Sequence, residues 1–315
     1  MASATGVVSG GRIHWRASDT RTSGRGLHGD GAYPWIWRVT AGIYLSPPVA
    51  CERLENIVRR HGGERRVTAP AKAVEYALPV HASDEMRTYL QRTASAAASE
   101  STVSVLPGGR IFGSGIVLSP DGSLIARDVS EDFGRSSETH WLLGYGRIRP
   151  PETLDGTTTV VAVNRGSGYS HWLLEELPRM LSADLQGSDR VVANLGQPFA
   201  TEAIRRHGFS GALVAARRTL HVACERLLVP SLAAPAGFPT GESVRVVRDF
   251  GGLFVPGDAD EDRGVGGFGE QLYLSRERAH RRRVSNEDAL WRALEPLGFR
   301  RVFLETLSWP EQIAL

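Results

Sequence analysis

Apolar and polar positions alternate along this chain in two rhythms, and the changes of rhythm mark its elements. Residues Thr157–Val163 read TTTVVAV, a continuous β-branched run. Such a run suits a strand buried on both faces. His171–Ala183 follows, with Leu173, Leu174, Leu177, Met180 and Leu181 on one stripe at about 100° per residue, which predicts a helix. Arg190–Leu195 then reads as a strand, Pro198–His207 as a helix, Ala212–Val214 as a short strand and Leu220–Val229 as a longer one. This alternation predicts an α/β fold with a largely parallel sheet. Upstream, Thr102–Leu106, Arg110–Leu118 and Ser123–Val129 are β-rich. Pro107-Gly108-Gly109 and Pro120-Asp121-Gly122 punctuate them as turns, so residues 102–129 are expected to form an antiparallel meander.

The flanks are less regular. Residues 1–35 are rich in Gly, Ser, Thr and Arg without periodicity and read as disordered. Cys51–His61, with Leu54, Ile57 and Val58 at helical spacing, and Asp84–Ala98 predict short helices. The Ala/Ser tract Ala94–Ser101 reads as a connection. Residues 231–269 are rich in Gly, Pro and Asp and read as a long connection. The α/β pattern resumes at Gln271, with a strand at Leu272–Leu274 and another around Val302–Leu304. The expected organisation is an α/β domain over 36–232, a linker over 233–269 and a second unit over 270–315. Gly264-Val265-Gly266-Gly267-Phe268-Gly269 matches a dinucleotide fingerprint by letters. It lacks the preceding strand and following helix that fingerprint needs, and reads as a flexible loop.

Composition narrows the function classes. The formal net charge of the 315 residues is only +2. No global basic field argues for nucleic acid. Lys72 is the only lysine, so almost all positive charge is arginine, whose planar fork suits phosphate. Cys51 and Cys224 have no metal-ligand spacing nearby and read as reduced thiols. The N-terminus has no apolar signal core, and no run of about 18 apolar residues exists to span a membrane. A cytoplasmic location is expected, with peripheral membrane association left open.

Two constellations carry candidate chemistry. In the first, Asn164-Arg165-Gly166-Ser167-Gly168-Tyr169-Ser170-His171 leaves the buried strand and enters the helix. His171, Glu175 and Arg179 recur every four residues on its polar face. A histidine beside a carboxylate at a strand's carboxyl end can act as a general base. The same spacing also describes an ordinary solvated face with a surface Glu175–Arg179 ion pair. Trp172 falls on the polar side, where an exposed ring can stack on a sugar, unless another domain covers it. The His171/Glu175 pair has metal-ligand spacing but no third ligand in evidence.

In the second constellation, Arg276, Arg278, Arg281, Arg282 and Arg283 follow the strand Leu272–Leu274. Ser285 is expected to cap a helix, with Asp288 in the capping-box position. Arginines beside a helix N-terminus suit a diphosphate. Asn286 and Glu287, in the first turn, can bond a ribose or sugar. Ser308-Trp309-Pro310-Glu311 is a full capping box, so another helix is expected there.

The segments NRGSGYSHWLLEELPRM and LYLSRERAHRRRVSNEDALWRALEPLGFRRVFLETLSWPEQIAL resemble glycosyltransferase family 61. The turn-rich stretch GGRIFGSGIVLSPDGSLIARDVS resembles the β region before the first motif in bacterial members. That family includes bacterial capsular-polysaccharide glycosyltransferases and eukaryotic xylosyl- and N-acetylglucosaminyltransferases. The resemblance implies a GT-B-like enzyme with two Rossmann-like domains, the first preceded by the β-rich region. It implies inverting transfer of a hexosyl or pentosyl group from a nucleotide-sugar donor to a glycan acceptor. Residues 36–232 would hold the acceptor and residues 270–315 would begin the donor domain. His171 and Glu175 would be catalytic. Asn164, Tyr169, Trp172 and Arg179 would line the acceptor cleft. Ser275, Arg276, Arg282, Asn286 and Glu287 would bind the donor. No cofactor is implied and metal is not required. Family members continue beyond the EQI segment, through an HGAGL-like motif. The second domain is therefore expected to be incomplete here, and a truncated, inactive carbohydrate- or partner-binding module is the alternative reading.

Overall fold

The computed structural model describes residues 8–9, 12–13, 44–71, 81–97, 100–132, 136–164, 166–233, 239–252, 271–279 and 282–315. The chain divides into two compact units, Met1–Gly42 and Ile43–Leu315. Of the first unit, only a two-stranded antiparallel pair is described, β1 (Val8–Ser9) with β2 (Arg12–Ile13). The Gly264–Gly269 segment lies outside the described residues.

The second unit is built on a ten-stranded mixed sheet. Its elements, in chain order, begin with β3 (Ala50–Glu52), helix α1 (Leu54–Arg60), β4 (Glu64–Ala69), helix α2 (Asp84–Ala97), β5 (Ser101–Pro107), β6 (Arg110–Phe112), β7 (Ile116–Leu118) and β8 (Leu124–Ala126). They continue with β9 (Glu152–Val160), helix α3 over residues 169–181, β10 (Arg190–Ala193), helix α4 (Pro198–Arg206), β11 (Ala212–Ala215) and β12 (His221–Pro230). The main strand order is β11-β10-β9-β12-β6-β7-β8-β3. The first four of these run parallel, but the sheet as a whole is mixed rather than largely parallel as expected, because the upstream strands join it antiparallel. The meander is antiparallel but shorter than the expected 102–129, since only β6-β7-β8 form it and β5 pairs elsewhere, and it joins the same sheet through the β12–β6 pairing. β5 also pairs with β12 and carries β4 on its other edge. The two expected turns form. Gly108 (φ +69°) and Gly122 (φ +80°) take the left-handed conformation that favours glycine, and Asp121 accepts from the Ser123 backbone at 3.1 Å.

Side-chain alternation along the central strands divides the core in two. Val160, Ala162 and Val192 face a cluster with Leu106, Ile111, Val117, Val222 and Leu227, and α1 inserts Leu54, Ile57 and Val58 into it. Val161, Val191 and Ala193 face the opposite side, where Leu177, Met180, Phe199, Ile204 and Phe209 cover them. The TTTVVAV run is buried on both faces, as its composition predicts. Cys51 and Cys224 sit in β3 and β12 and are not bonded to each other.

The segment read as a connection contains a helix, α5 (Gly241–Gly251). Thr240 caps it, accepting from the Ser243 backbone at 3.1 Å, and Phe250 is buried against the core. Its helical character is masked in sequence by the Gly and Pro on either side. Beyond it, β13 (Leu272–Leu274) pairs in parallel with β14 (Arg300–Val302), joined by helix α6 (Glu287–Leu294). The last helix, α7 (Trp309–Ala314), has the expected capping box between Ser308 and Glu311. It packs back on the main core through Trp309 and Ile313.

Candidate functional site

The carboxyl ends of β9 and β10 lie side by side, and α3 starts above them. Helix α3 is not uniform. An α-turn at Tyr169–His171 leads into a π-turn at Trp172–Glu176, and α-helix resumes at Leu177–Leu181. The π-turn is marked by the Leu177 N–H, which donates to the Trp172 carbonyl five residues back. A π-turn holds one extra residue, so side chains beyond it are rotated by about 100° from the phase that an unbroken helix predicts.

This shift sorts the polar row. His171 Nδ1 and Glu175 Oε1 lie 2.7 Å apart, with the histidine 32% exposed and the glutamate 8%. The expected pair therefore forms at the rim. Arg179 departs from the expected row. It is fully buried, donating from Nε to the Pro230 carbonyl at 3.0 Å and from Nη1 to the Ala162 carbonyl at 2.7 Å. Neither a cleft-lining position nor a surface pair with Glu175 describes it, because the π-turn has rotated it toward the sheet. The charge it feels is that of the neighbouring Glu176.

Trp172 is likewise not an exposed platform. It is 1% exposed, packed edge-on against Phe199 at 5.2 Å and against Trp309 at 6.4 Å. Phe199 and Trp309 stack on each other at 5.3 Å. The physical reason is the return of α7, which supplies the cover that a ring on the polar side of an isolated helix lacks. Tyr169 remains 41% exposed and meets Phe199 edge-on at 5.0 Å. Asn164 is half-buried and donates from Nδ2 to the Glu131 carbonyl at 3.1 Å.

Glu176 is the site residue that sequence reasoning missed. It is 1% exposed. It accepts from the Val163 N–H at 2.8 Å, from the Asn194 N–H at 3.2 Å and from Asn194 Nδ2. Burial raises its pKa to about 7, against the hydrogen bonds from Asn194 and Val163 and the charge of Arg179. Burial in turn lowers the Arg179 guanidinium to about 10, against the pull of Glu176. In sequence Glu176 is one of two adjacent glutamates, and only the broken helix tells their roles apart.

The second constellation is part scaffold and part surface. Glu287 turns inward, accepting from Ser275 Oγ at 2.5 Å and from the Arg276 N–H at 2.8 Å. The Ser275 bond is the largest cause of its lowered pKa. The predicted Ser285 cap does not form: α6 starts at Glu287 after Asn286, whose side chain makes no cap bond. The first-turn glutamate is drawn instead to the end of β13. Arg276, Arg282 and Asn286 are exposed. Arg276 Nε donates to the Arg282 carbonyl at 2.9 Å, and Arg282 adopts φ +57°. Arg278 lies over the Phe303 ring at 4.1 Å, a cation–π contact. Arg301 pairs with Glu277 at 3.0 Å.

Among the described residues, no group of three His, Cys, Asp or Glu is placed to hold a metal ion. No described helix is long and apolar enough to cross a membrane. A cavity of about 350 Å³ opens between Thr68, Ser101, Pro178, Ser231 and Ser243. None of the candidate catalytic, acceptor or donor residues lines it.

Residues 169–315 match the family model Glycosyltransferase 61. The matched span opens on the first residue of α3, so it contains both the His171–Glu175 pair and the arginine loop. The match supports a glycosyltransferase. No curated protein and no solved structure matches the chain.

Proposed function

We propose that the chain is an inverting glycosyltransferase that moves a sugar from a nucleotide-sugar donor to a glycan acceptor in capsular or exopolysaccharide assembly. The observation that carries this reading is the His171–Glu175 pair, set at the carboxyl end of a parallel strand and inside the span similar to Glycosyltransferase 61. With Nδ1 donating to Glu175, Nε2 is the basic nitrogen. It takes the proton of the acceptor hydroxyl as that oxygen attacks the anomeric carbon. The bond from that carbon to the diphosphate breaks on the opposite face, and the configuration inverts. The nucleoside diphosphate leaves with its charge met by Arg276 and Arg282, so phosphate neutralisation does not call for a metal. Asn286, in the exposed turn before α6, is suited to a polar contact with the donor. Ser275 and Glu287 hold the end of β13 from beneath. Asn164 and Tyr169 lie on the acceptor side.

In this reading the β9–α3–β10–α4–β11 unit is the acceptor-side half of a GT-B-like enzyme, and β13–α6–β14 opens the donor-side half. The enzyme works in the cytoplasm, where nucleotide sugars are made, with peripheral contact to a membrane that carries the growing glycan.

The test pairs turnover with donor affinity. Wild-type protein and His171→Ala are assayed against a panel of nucleotide sugars, and donor Kd is measured by calorimetry. His171→Ala is expected to lower turnover by about 10²–10⁴-fold while donor Kd stays within about twofold. Equal losses of turnover and affinity would remove the base role.

A further inference from the structure

We propose that Glu176 is a positioning residue for this reaction, clamping the loops that leave β9 and β10 so that the His171-bearing turn is held in place. The inference rests on the transferase reading above.

A buried carboxylate is costly unless hydrogen bonds or a counter-charge compensate it. Glu176 has both. The donors come from two different loops: the Val163 N–H follows β9, and the Asn194 N–H and Nδ2 follow β10. Asn194 Nδ2 also donates to the Val163 carbonyl at 3.0 Å, which ties the loops directly. The Gly166 N–H donates to that same carbonyl at 2.9 Å. Gly166 rests on the carboxylate so closely that a Cβ there would stand 2.0 Å from Oε1. Two residues on, the Gly168 carbonyl accepts the Trp172 N–H at 2.8 Å. A continuous set of contacts thus runs from Glu176 through Val163 and Gly166 to the turn carrying His171.

The π-turn lets neighbouring glutamates serve both ends of this arrangement. Glu175 meets the histidine and Glu176 meets the sheet. Packing alone does not call for a charge here, since an apolar side chain of similar volume often fills a buried ion-pair position without loss of stability. The bonds to two loops are what a carboxylate supplies and an apolar side chain does not.

Three full-length proteins test the proposal: wild type, Glu176→Gln and Leu106→Ala, a buried core truncation that serves as stability control. Each is assayed under conditions where circular dichroism shows it folded. Glu176→Gln is expected to lose about 10²-fold in kcat, the scale of a misplaced catalytic group, with donor KM within about twofold. Amides of residues 166–172 are expected to exchange at least about tenfold faster, as their local opening becomes easier. Leu106→Ala should leave kcat and this exchange unchanged. If Glu176→Gln does not fold, Asn194→Ala carries the same expectation at smaller size. An unchanged kcat in folded Glu176→Gln overturns the proposal, whatever the exchange shows. An equal fall of kcat in Leu106→Ala overturns it too, because the effect is then general destabilisation. Wild-type protein without turnover on any donor overturns the transferase reading itself, a result separate from equal kcat values in wild type and variant.

Discussion

Replacing Arg179 by methionine tests the buried charge pair beneath the site. Methionine keeps much of the stem and removes the guanidinium, together with its bonds to the Pro230 and Ala162 carbonyls. Hydrogen bonds to charged groups contribute roughly 1.5–3 kcal/mol each. Relief of guanidinium desolvation offsets part of that loss, while a carboxylate left buried without its counter-charge adds to it. Loss of the two carbonyl bonds dominates, and breaking a buried pair, at about 3–5 kcal/mol, is the ceiling on the expected loss above neutral pH, since Glu176 feels the guanidinium's charge without bonding to it.

The pH dependence gives the sharper signature. The folded-state pKa of Glu176 is raised from 4.5 to about 7, so the folded protein holds that proton more tightly than the unfolded chain. At about 1.4 kcal/mol per unit, the shift corresponds to a contribution on the order of 3 kcal/mol. That contribution is complete below pH 4.5 and is lost as pH rises through about 7. Arg179 opposes the shift, so in Arg179→Met the loss extends to higher pH. Urea unfolding of both proteins at pH 5 and pH 8 reads the difference. At pH 5 Glu176 is largely protonated in both, and the variant should lose chiefly the two carbonyl bonds. At pH 8 its deficit should be larger. A deficit equal at the two pH values, or below about 1 kcal/mol at both, would refute the coupling.

Trp309→Ala should cost about 3–5 kcal/mol in urea unfolding, as for other buried aromatic truncations. It should also speed amide exchange in residues 169–176, because Trp309 packs on Trp172 and Phe199; a loss confined to α7 would mean that the last helix does not support α3. Gly166→Ala places a Cβ against Glu176 Oε1 and Asn194 Nδ2 and should cost about 1–3 kcal/mol by overpacking. Unchanged stability there would mean that the turn can retreat from the carboxylate.

Much of this fold is written locally. The run at Thr157–Val163 buries on both faces because no charged residue interrupts it, and Pro-Gly-Gly and Pro-Asp-Gly turn because glycine accepts positive φ. Ser308 and Glu311 cap a helix because their side chains reach the free N–H groups of its first turn and of Ser308 itself. The His171–Glu175 pair was legible for a similar reason, since residues four apart on a helix are neighbours.

What lay beyond local pattern required the folded chain. Periodicity assumes an unbroken helix, so it carried Arg179 to the rim, whereas the π-turn sends it under the sheet. Trp172 is covered by a tryptophan 137 positions further along the chain, a contact that no window of sequence contains. Glu176 differs from Glu175 only in where its neighbours stand, and two of its three donors belong to Asn194, on the next strand's loop. By itself the sequence determined the central strands, the two glycine turns and the Ser308 cap, because those depend on neighbours a few residues away. The tertiary structure alone decided which charges are buried and which face the rim, because burial depends on what arrives from distant parts of the chain.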